Sequence, residues 1–138
     1  MVLAADSAKF DSRFLQIGLH PGGGHTWRLR HITDQATTMA MVLFGQRLTG
    51  QQAAQRGLAW ECVADDELQG RAQEIAARAA SFPKELVAKT KATITNLDQV
   101  VESNAAVDFE LEPQLWSMAE PQFQALVTSL QKNISSKD

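Results

Sequence analysis

Three consecutive glycines, Gly22, Gly23 and Gly24, follow Pro21 near the start of the chain and limit what can form around them. Proline removes a backbone donor and glycine weakens the interior of both helices and strands. A regular element therefore has to end before Pro21, and another has to begin after Gly24. Glycines packed this tightly also let a backbone pass close to another group, so this loop is a place where a ligand or a neighbouring segment can approach.

The remaining pattern is mainly helical, with a few short strands. Apolar stretches predict strands at 2–5, 8–10 and 58–64, and the turn residues Asp6 and Ser7 separate the first two. Helical spacing predicts helices at 25–31, at 35–45 after the N-cap Asp34, at 50–57 after the N-cap Thr49, from Asp65 or Asp66 to 82, at 83–97, at 98–120 with a disturbance near Pro113, and around 123–130, with a frayed tail at 133–138.

The predicted strands lack partners. Two short strands near the start and one near residue 60 do not make an independent sheet, because a lone short ladder is marginally stable in water. We therefore expect them to be edges of a larger sheet whose other strands lie outside this sequence.

Composition excludes several classes of function. The formal charge of the 138 residues is −3 and the 13 basic residues are scattered, so no surface for nucleic acid is predicted. No apolar run approaches the roughly 18 residues of a membrane span, and His20, His25 and His31 lack metal-ligand spacing. Cys62 has no second cysteine to pair with, which predicts a cytoplasmic protein in which Cys62 is a small core residue.

The order of motifs resembles the crotonase superfamily, the enoyl-CoA hydratases and isomerases. That family places a short strand before a G-x-x-P-G-x-G loop, continues into a helix with T-x-R-L, and carries L-T-G and A-x-x-G-L before a long helix. The matching residues here are Gly18, Pro21, Gly22, Gly24, Thr26, Arg28, Leu29, Leu48, Thr49, Gly50, Ala54, Gly57 and Leu58. The resemblance covers residues 2–97, whereas 98–138 are similar in helical character alone.

The resemblance implies a fold and an assembly. The chain is expected to be mainly α with a few short strands: the carboxyl-terminal part of the ClpP/crotonase-like spiral fold, followed by the family's helical trimerisation region. Residues 1–64 would be the remnant of the α/β core with the glycine-rich acyl-pocket loop, and residues 65–138 the trimerisation helices. A homo-oligomer, either a trimer or an assembly of trimers, is implied. Met1 stands where the family usually has Asp, which looks like a truncated start.

The resemblance also implies a chemistry. Family members bind fatty acyl-CoA thioesters, with coenzyme A as part of the substrate and no separate cofactor or metal. Two backbone N–H groups stabilise an enolate oxyanion, and two glutamates handle water and proton transfer at the α and β carbons. The resemblance places both N–H donors and the first glutamate in segments before Val2. The second glutamate falls four residues after Phe10, where this chain has Phe14.

Phe14 removes the second catalytic group, because phenylalanine neither accepts nor donates a proton. We expect this chain alone to be inactive as a hydratase, with no catalytic residue, and the benzyl group to make the acyl pocket more apolar. Two alternatives stay open for the complete protein: a catalyst that uses another group, or a non-catalytic acyl-CoA binder. Family membership gives it the expected label of an enoyl-CoA hydratase/isomerase, a lyase of fatty acid metabolism.

The candidate binding residues surround the glycine loop. The expected substrate-binding set is Phe14, Leu19, Pro21, Gly22, Gly23 and His25, and the candidate CoA contacts are Lys89 and Lys91. Structural alternatives stand beside these roles. The glycines could instead hold a phosphate at the helix N-terminus, His25 could be a hydrogen-bonded helix-start residue rather than a base, and lysines on amphipathic helices usually lie on a solvated face. Trp27 and Trp60 are expected in the core.

A second hypothesis belongs to a different class of protein. The chain would act alone as a non-catalytic helical oligomerisation module, because this half of the family carries the trimer-forming helices. The strands without partners argue against such a stand-alone fold.

Overall fold

The computed structural model describes residues 1–135 and contains two compact units, Met1–Ala76 and a second unit from Ala77 onward. Within the described residues, the strands are β1 (Leu3–Ala5), β2 (Lys9–Phe10), β3 (Leu48–Thr49) and β4 (Glu61–Val63). The helices are α1 (His25–Ile32), α2 (Gln35–Val42), α3 (Gly50–Gln55), α4 (Leu68–Ala80), α5 (Lys84–Asn96), α6 (Ser103–Ala119) and α7 (Pro121–Ser135). The expected class, mainly α with a few short strands, is confirmed.

The strands form two separate ladders of two strands each. β1 pairs with β4 in parallel, with Leu3 opposite Glu61, and β2 pairs with β3 antiparallel, with Phe10 opposite Leu48. The three predicted strands are confirmed, each somewhat shorter than expected, and β3 lies where the sequence predicted only the approach to a helix cap. Because ladders of this size are marginal alone, neighbouring helices have to cover them.

Two helices begin where the sequence predicted. The Asp34 carboxylate accepts a hydrogen bond from the Thr37 N–H at 2.7 Å, and this bond lowers the pKa of Asp34 from its ordinary value. Thr49 caps α3 through a reciprocal pair, in which its hydroxyl accepts from the Gln52 N–H and the Gln52 side chain accepts from the Thr49 N–H. A cap of this kind contributes about 1 kcal/mol of stability.

Helix α3 packs tightly on the β1–β4 ladder at Gly50. A Cβ built at this position would stand 2.2 Å from the carbonyl oxygen of Ala5 and 2.7 Å from the Sγ of Cys62, so only glycine fits. The buried residues around this contact are Ala4, Ala53 and Ala59. A second buried cluster, which joins α1, α2 and β3, consists of Leu29, Met41 and Leu48.

Both tryptophans expected in the core of the first unit are on its surface. Trp27 is 62% exposed and Trp60 is 69% exposed, so the expectation is wrong for both. The core of this unit is built instead from small and medium side chains. Alanines fill it where the backbones of α3 and β1 approach closely, and Leu29, Met41 and Leu48 fill it between α1, α2 and β3.

The other expectations for the first unit have mixed outcomes. Asp65 does not cap α4: its carboxylate accepts from the hydroxyl and the N–H of Ser7, and the hydroxyl bond above all lowers the pKa of Asp65. This contact ties the turn after β1 to the segment after β4. Cys62 is half-buried rather than fully buried, and its thiol lies 3.3 Å from Asp6 Oδ1. Burial raises the pKa of this thiol, and Asp6 raises it further.

The second unit consists of helices with little burial. None of its residues whose exposure the structure describes is buried. Helix α6 begins at Ser103 rather than at 98, after a 3₁₀ turn at Leu97–Gln99, and it continues through Pro113. Helix α7 extends to Ser135, so the frayed tail expected at 133–138 is wrong for 133–135, and 136–138 lie outside the described residues. No helix within residues 1–135 is long and apolar enough to cross a membrane.

Candidate functional site

The glycine loop and the start of α1 border a cleft in the first unit. A 3₁₀ turn at Leu15–Ile17 ends at Gly18, whose φ is 70°, and the chain then runs through the glycines into α1. The cleft has a volume of about 350 Å³. Its lining residues are Leu15, His20, Pro21, Gly24, His25, Thr26, Trp27, Val42 and Leu43. The lining is mostly apolar, and none of these residues carries a carboxylate.

Backbone conformation explains two of the three consecutive glycines. Gly23 and Gly24 have φ values of 63° and 78°, in the left-handed region that other residues rarely adopt. Gly22 has no such constraint, and a Cβ built at Gly22 or Gly23 would meet no atom of this chain within 4 Å. The described residues therefore leave the outer side of this loop open to a second body.

His25 is the polar side chain at the centre of this region. Its Nε2 lies 2.7 Å from the hydroxyl of Ser12, which is only 2% exposed. The ring of Phe14 packs against the imidazole, with 5.0 Å between ring centroids and an angle of 48° between the planes. The imidazole is thus held on one side by a buried hydroxyl and on the other by an aromatic ring.

The structure brings together only some of the residues that the sequence proposed as a site. Pro21 and His25 line the cleft, and Phe14 reaches it through its contact with His25. Leu19 is 52% exposed and lies outside the cleft lining, while Gly22 and Gly23 are exposed on the loop beside it.

The two candidate CoA contacts lie on α5, in the second unit. The Nζ of Lys89 stands 4.7 Å from the ring centroid of Trp116, so this ammonium already has a cation–π partner. Lys91 is exposed. A groove of about 210 Å³ between α5, α6 and α7 is lined by both apolar and polar residues, and its apolar residues include Leu86, Trp116 and Phe123.

Sequence reasoning missed Ser12, Trp27 and Leu43. Ser12 lies 13 positions before His25, and no sequence pattern indicated that the two would meet. Trp27 stacks on His31 with 3.8 Å between ring centroids. It also lines the cleft, although the sequence predicted it in the core. The sequence offered no signal that Trp27 would be exposed rather than buried.

Acid–base chemistry at this cleft is limited to histidine. The carboxylate that precedes Ser12, Asp11, accepts a hydrogen bond from Arg13 Nε at 2.7 Å and lies 3.7 Å from Arg47 Nε, so it is already ion-paired. Residues 1–135 contain no group of three or more histidine, cysteine or acidic side chains placed to hold a metal ion. The arrangement can hold an apolar chain and offer it the polar side chains of His20, His25 and Thr26.

Comparison with known families gives a consistent result. The family model described as enoyl-CoA hydratase/isomerase matches residues 1–130. The chain is 38% identical over 135 residues to the protein named probable enoyl-CoA hydratase EchA14 of Mycobacterium tuberculosis strain H37Rv, a match that covers 94% of this chain and 52% of that protein. It is 39% identical over 83 residues to the 1,2-epoxyphenylacetyl-CoA isomerase of Escherichia coli K12, covering 60% of this chain and 32% of that enzyme.

Solved structures share the fold. An enoyl-CoA hydratase from Bacillus anthracis matches with a TM-score of 0.83 at 24% identity, covering 95% of this chain and 50% of that chain. The human enoyl coenzyme A hydratase domain-containing protein 3 matches with a TM-score of 0.83 at 21% identity, covering 95% of this chain and 51% of that chain. The chain thus spans about half the length, or less, of the proteins that it matches.

Proposed function

Because this chain belongs to the enoyl-CoA hydratase/isomerase family of the crotonase superfamily, we propose that it binds fatty acyl-CoA thioesters and does not itself carry out two-carboxylate hydration. The acyl chain occupies the cleft between the glycine loop, α1 and α2. The observation that carries the proposal is the Phe14–His25 contact: a benzyl group packs beside this cleft at the position where the family resemblance expects the second acid.

The lining of the cleft supports an apolar ligand. Trp27 and Leu43 are 62% and 56% exposed, and both lie on the cleft wall, where an acyl chain would cover them. Each methylene group removed from water contributes about 0.8 kcal/mol, which is roughly a fourfold gain in affinity. We therefore expect affinity to rise with acyl chain length until the cleft is filled.

The thioester end of the ligand has different requirements. The open outer side of Gly22 and Gly23 lets the ligand pass close to the backbone, as the family resemblance implies. Lys89 and Lys91 are proposed to attract the CoA phosphates, with Lys91 the less engaged of the two because Lys89 stacks on Trp116. A role in fatty acid metabolism and a cytoplasmic location belong to the same proposal, which the free thiol of Cys62 supports.

Calorimetric titration of dodecanoyl-CoA and of free CoA tests the proposal. We expect dodecanoyl-CoA to bind at least tenfold more tightly than CoA. Trp27→Ala should weaken dodecanoyl-CoA binding severalfold, whereas Trp60→Ala, which removes an equally exposed indole outside the cleft, should leave it unchanged. Equal binding of the two compounds, or equal effects of the two variants, would overturn the assignment of the acyl site.

A second candidate function, helical assembly, is favoured by a specific feature of α6. Val107, Leu111, Leu115 and Met118 recur at helical spacing along one face of this helix, and each is 45% exposed or more. A groove between α6 and α5 is lined by residues of another face of α6, including Phe109 and Trp116. We propose that the exposed face, called here the α6 stripe, forms the contact of a homo-oligomer, with a trimer as the expected form.

A further inference from the structure

We infer that the groove between α5, α6 and α7 binds a small aliphatic amine in its ammonium form. This groove lies within the second unit, apart from the cleft beside the glycine loop, and the inference does not depend on acyl-CoA binding. It follows from three features of the groove: its size, the aromatic ring in its wall, and the charges that line it.

The size of the groove suits a short ligand. Its volume of about 210 Å³ is below the roughly 300–1,000 Å³ of pockets that hold drug-sized molecules. Leu86, Phe123 and Leu126 give it an apolar wall, and Phe123 and Leu126 are 37% and 57% exposed without a ligand. A stem of a few methylene groups would cover this wall.

The indole of Trp116 already contacts one alkylammonium group. The Nζ of Lys89 lies 4.7 Å from its ring centroid, within the range of a cation–π contact. That lysine lines the neighbouring groove between α5 and α6 and does not line the present one, whereas Trp116 lines both. An indole has two faces, so the Lys89 contact leaves Trp116 able to receive a second cation from the present groove.

Two carboxylates in the lining favour a positively charged ligand. Glu85 is exposed, and Glu120 is half-buried in the wall. Among the residues that the structure describes, the ion pairs use the carboxylates of Asp11, Glu61 and Glu74, so neither groove glutamate has a basic partner there. A carboxylate that is partly removed from water gains from a charge-assisted hydrogen bond, which an ammonium group donates.

Lys84 is the basic residue of the lining and sets the strength of this attraction. It is exposed, so its ammonium group can extend into water. Two glutamates and one lysine leave the lining with a net charge of −1. The groove should therefore prefer a cation to an anion, and removal of the Lys84 charge should strengthen that preference. No member of the α6 stripe lines the groove, so the two surfaces are separate.

Three ligands of equal length test the inference. Hexylammonium, hexan-1-ol and hexanoate are titrated into the full chain, and the indole N–H signal of Trp116 is followed by NMR. We expect hexylammonium to bind at least tenfold more tightly than either of the others and to shift that signal. Equal affinities, tighter binding of hexanoate, or no shift of the Trp116 signal would overturn the inference.

The same titration distinguishes a free amine from a lysine side chain of another protein. N-acetyl-lysine amide carries the same ammonium group on a bulkier body, which the small volume of the groove disfavours. We expect it to bind more weakly than hexylammonium. Tighter binding of N-acetyl-lysine amide would overturn the assignment to a free amine.

Variants locate the source of the preference. Glu120→Gln should weaken hexylammonium binding severalfold and leave hexan-1-ol binding unchanged, a difference that a merely structural glutamate would not give. Lys84→Gln should tighten hexylammonium binding severalfold. In Trp116→Leu the preference for the ammonium group should fall further than in Glu120→Gln. If Trp116→Leu does not fold, the two charge variants decide.

Glu112 provides the matched control, because it is an exposed carboxylate of the same helix that lines the neighbouring groove instead. Glu112→Gln should leave hexylammonium binding unchanged. Equal losses in Glu112→Gln and Glu120→Gln would show a general attraction of cations to an acidic helix and would contradict the assignment of the groove.

Discussion

At position 14 the chain has phenylalanine where the family resemblance expects the second catalytic glutamate. The benzyl group of Phe14 packs on His25, and the Asp11 carboxylate nearby along the chain is occupied by arginine. A general base has to be within hydrogen-bond reach of the proton it takes, and the residues that line the cleft include histidines but no carboxylate.

Restoring the acid at this position should not restore hydration. We expect Phe14→Glu to hydrate crotonyl-CoA no faster than the unmodified chain, because the resemblance places the oxyanion donors and the first glutamate outside these 138 residues. Each such donor supplies a factor of about 100 to 1,000. Loss of the enoyl thioester absorbance measures the reaction, with Phe14→Leu as the apolar control. Hydration by Phe14→Glu above that control would refute the expectation.

Acid should weaken the hydrogen bonds between Ser7 and Asp65. The bonds from Ser7 lower the pKa of Asp65 in the folded state, so the folded state favours the carboxylate more than the unfolded chain does. This contribution is fully present above the unfolded pKa of about 3.9 and is lost as the pH falls through the lower folded pKa.

Urea unfolding from pH 7 to pH 3 measures this dependence. Asp65→Asn should be less stable than the unmodified chain at pH 7 and should lose less stability on acidification. Asp66→Asn, a change at the exposed neighbour, should follow the unmodified chain at every pH. Parallel acid profiles for the unmodified chain and Asp65→Asn would show that the Ser7 contact contributes nothing to stability.

Among the elements, α3 is the one whose position depends on the absence of a side chain. The near contact of Gly50 with the Ala5 carbonyl lets α3 lie directly on the β1–β4 ladder, and Ala53 fills the space one turn later. The ladder, the helix and the buried alanines therefore form one packing unit.

A methyl group at position 50 should disrupt this unit. We expect Gly50→Ala to lower the free energy of unfolding by roughly 3 kcal/mol, at the upper end of typical overpacking, because backbone atoms block the new Cβ. Gly70→Ala is the matched control in the first turn of α4, where a Cβ meets nothing within 4 Å. It should stabilise the protein by up to about 1 kcal/mol. Urea unfolding compares the two, and similar values would contradict the packing described for α3.

The elements show which parts of the fold the sequence could predict. Asp34 and Thr49 cap their helices as expected, because a cap depends on neighbours three positions away. The exposure of Trp27 and the meeting of Ser12 with His25 could not be predicted, since both depend on which distant segments pack together. The substrate-binding set was drawn from one continuous loop, and so it missed Leu43, which α2 brings to the cleft.

On the scale of the whole molecule, the exposed surface is large for the mass. The chain exposes 10547 Å² at 15.1 kDa, about half as much again as the roughly 7,100 Å² of a typical folded monomer of that mass. The described residues that are buried all lie in the first unit. Burial of the α6 stripe in an assembly would give the second unit the apolar contacts that its own residues do not supply.

A charge on the α6 stripe should prevent this assembly. We expect sedimentation analysis to show an oligomer for the unmodified chain and a shift to monomer for Leu115→Glu, because a buried carboxylate without a partner is strongly unfavourable. Gln124→Glu places the same charge on an exposed residue of α7, outside the α6 stripe, and should leave the oligomer intact. A monomeric unmodified chain, or an oligomer insensitive to Leu115→Glu, would rule out this contact.

The parallel pairing of β1 with β4 also sets the order in which the first unit can fold. The ladder and the Ser7–Asp65 bonds close the same long loop, whose ends are 58 positions apart in the case of Ser7 and Asp65, and Gly50, inside this loop, packs on Ala5 and Cys62 near its two ends. Helices α2 and α3 carry their own caps and can form before that loop closes, whereas the ladder and the Ser7–Asp65 bonds need its two ends to meet. We therefore expect the docking of β4 onto β1 to be the slow step in folding of the first unit. The β1–β4 ladder and the Ser7–Asp65 bonds should form and break together.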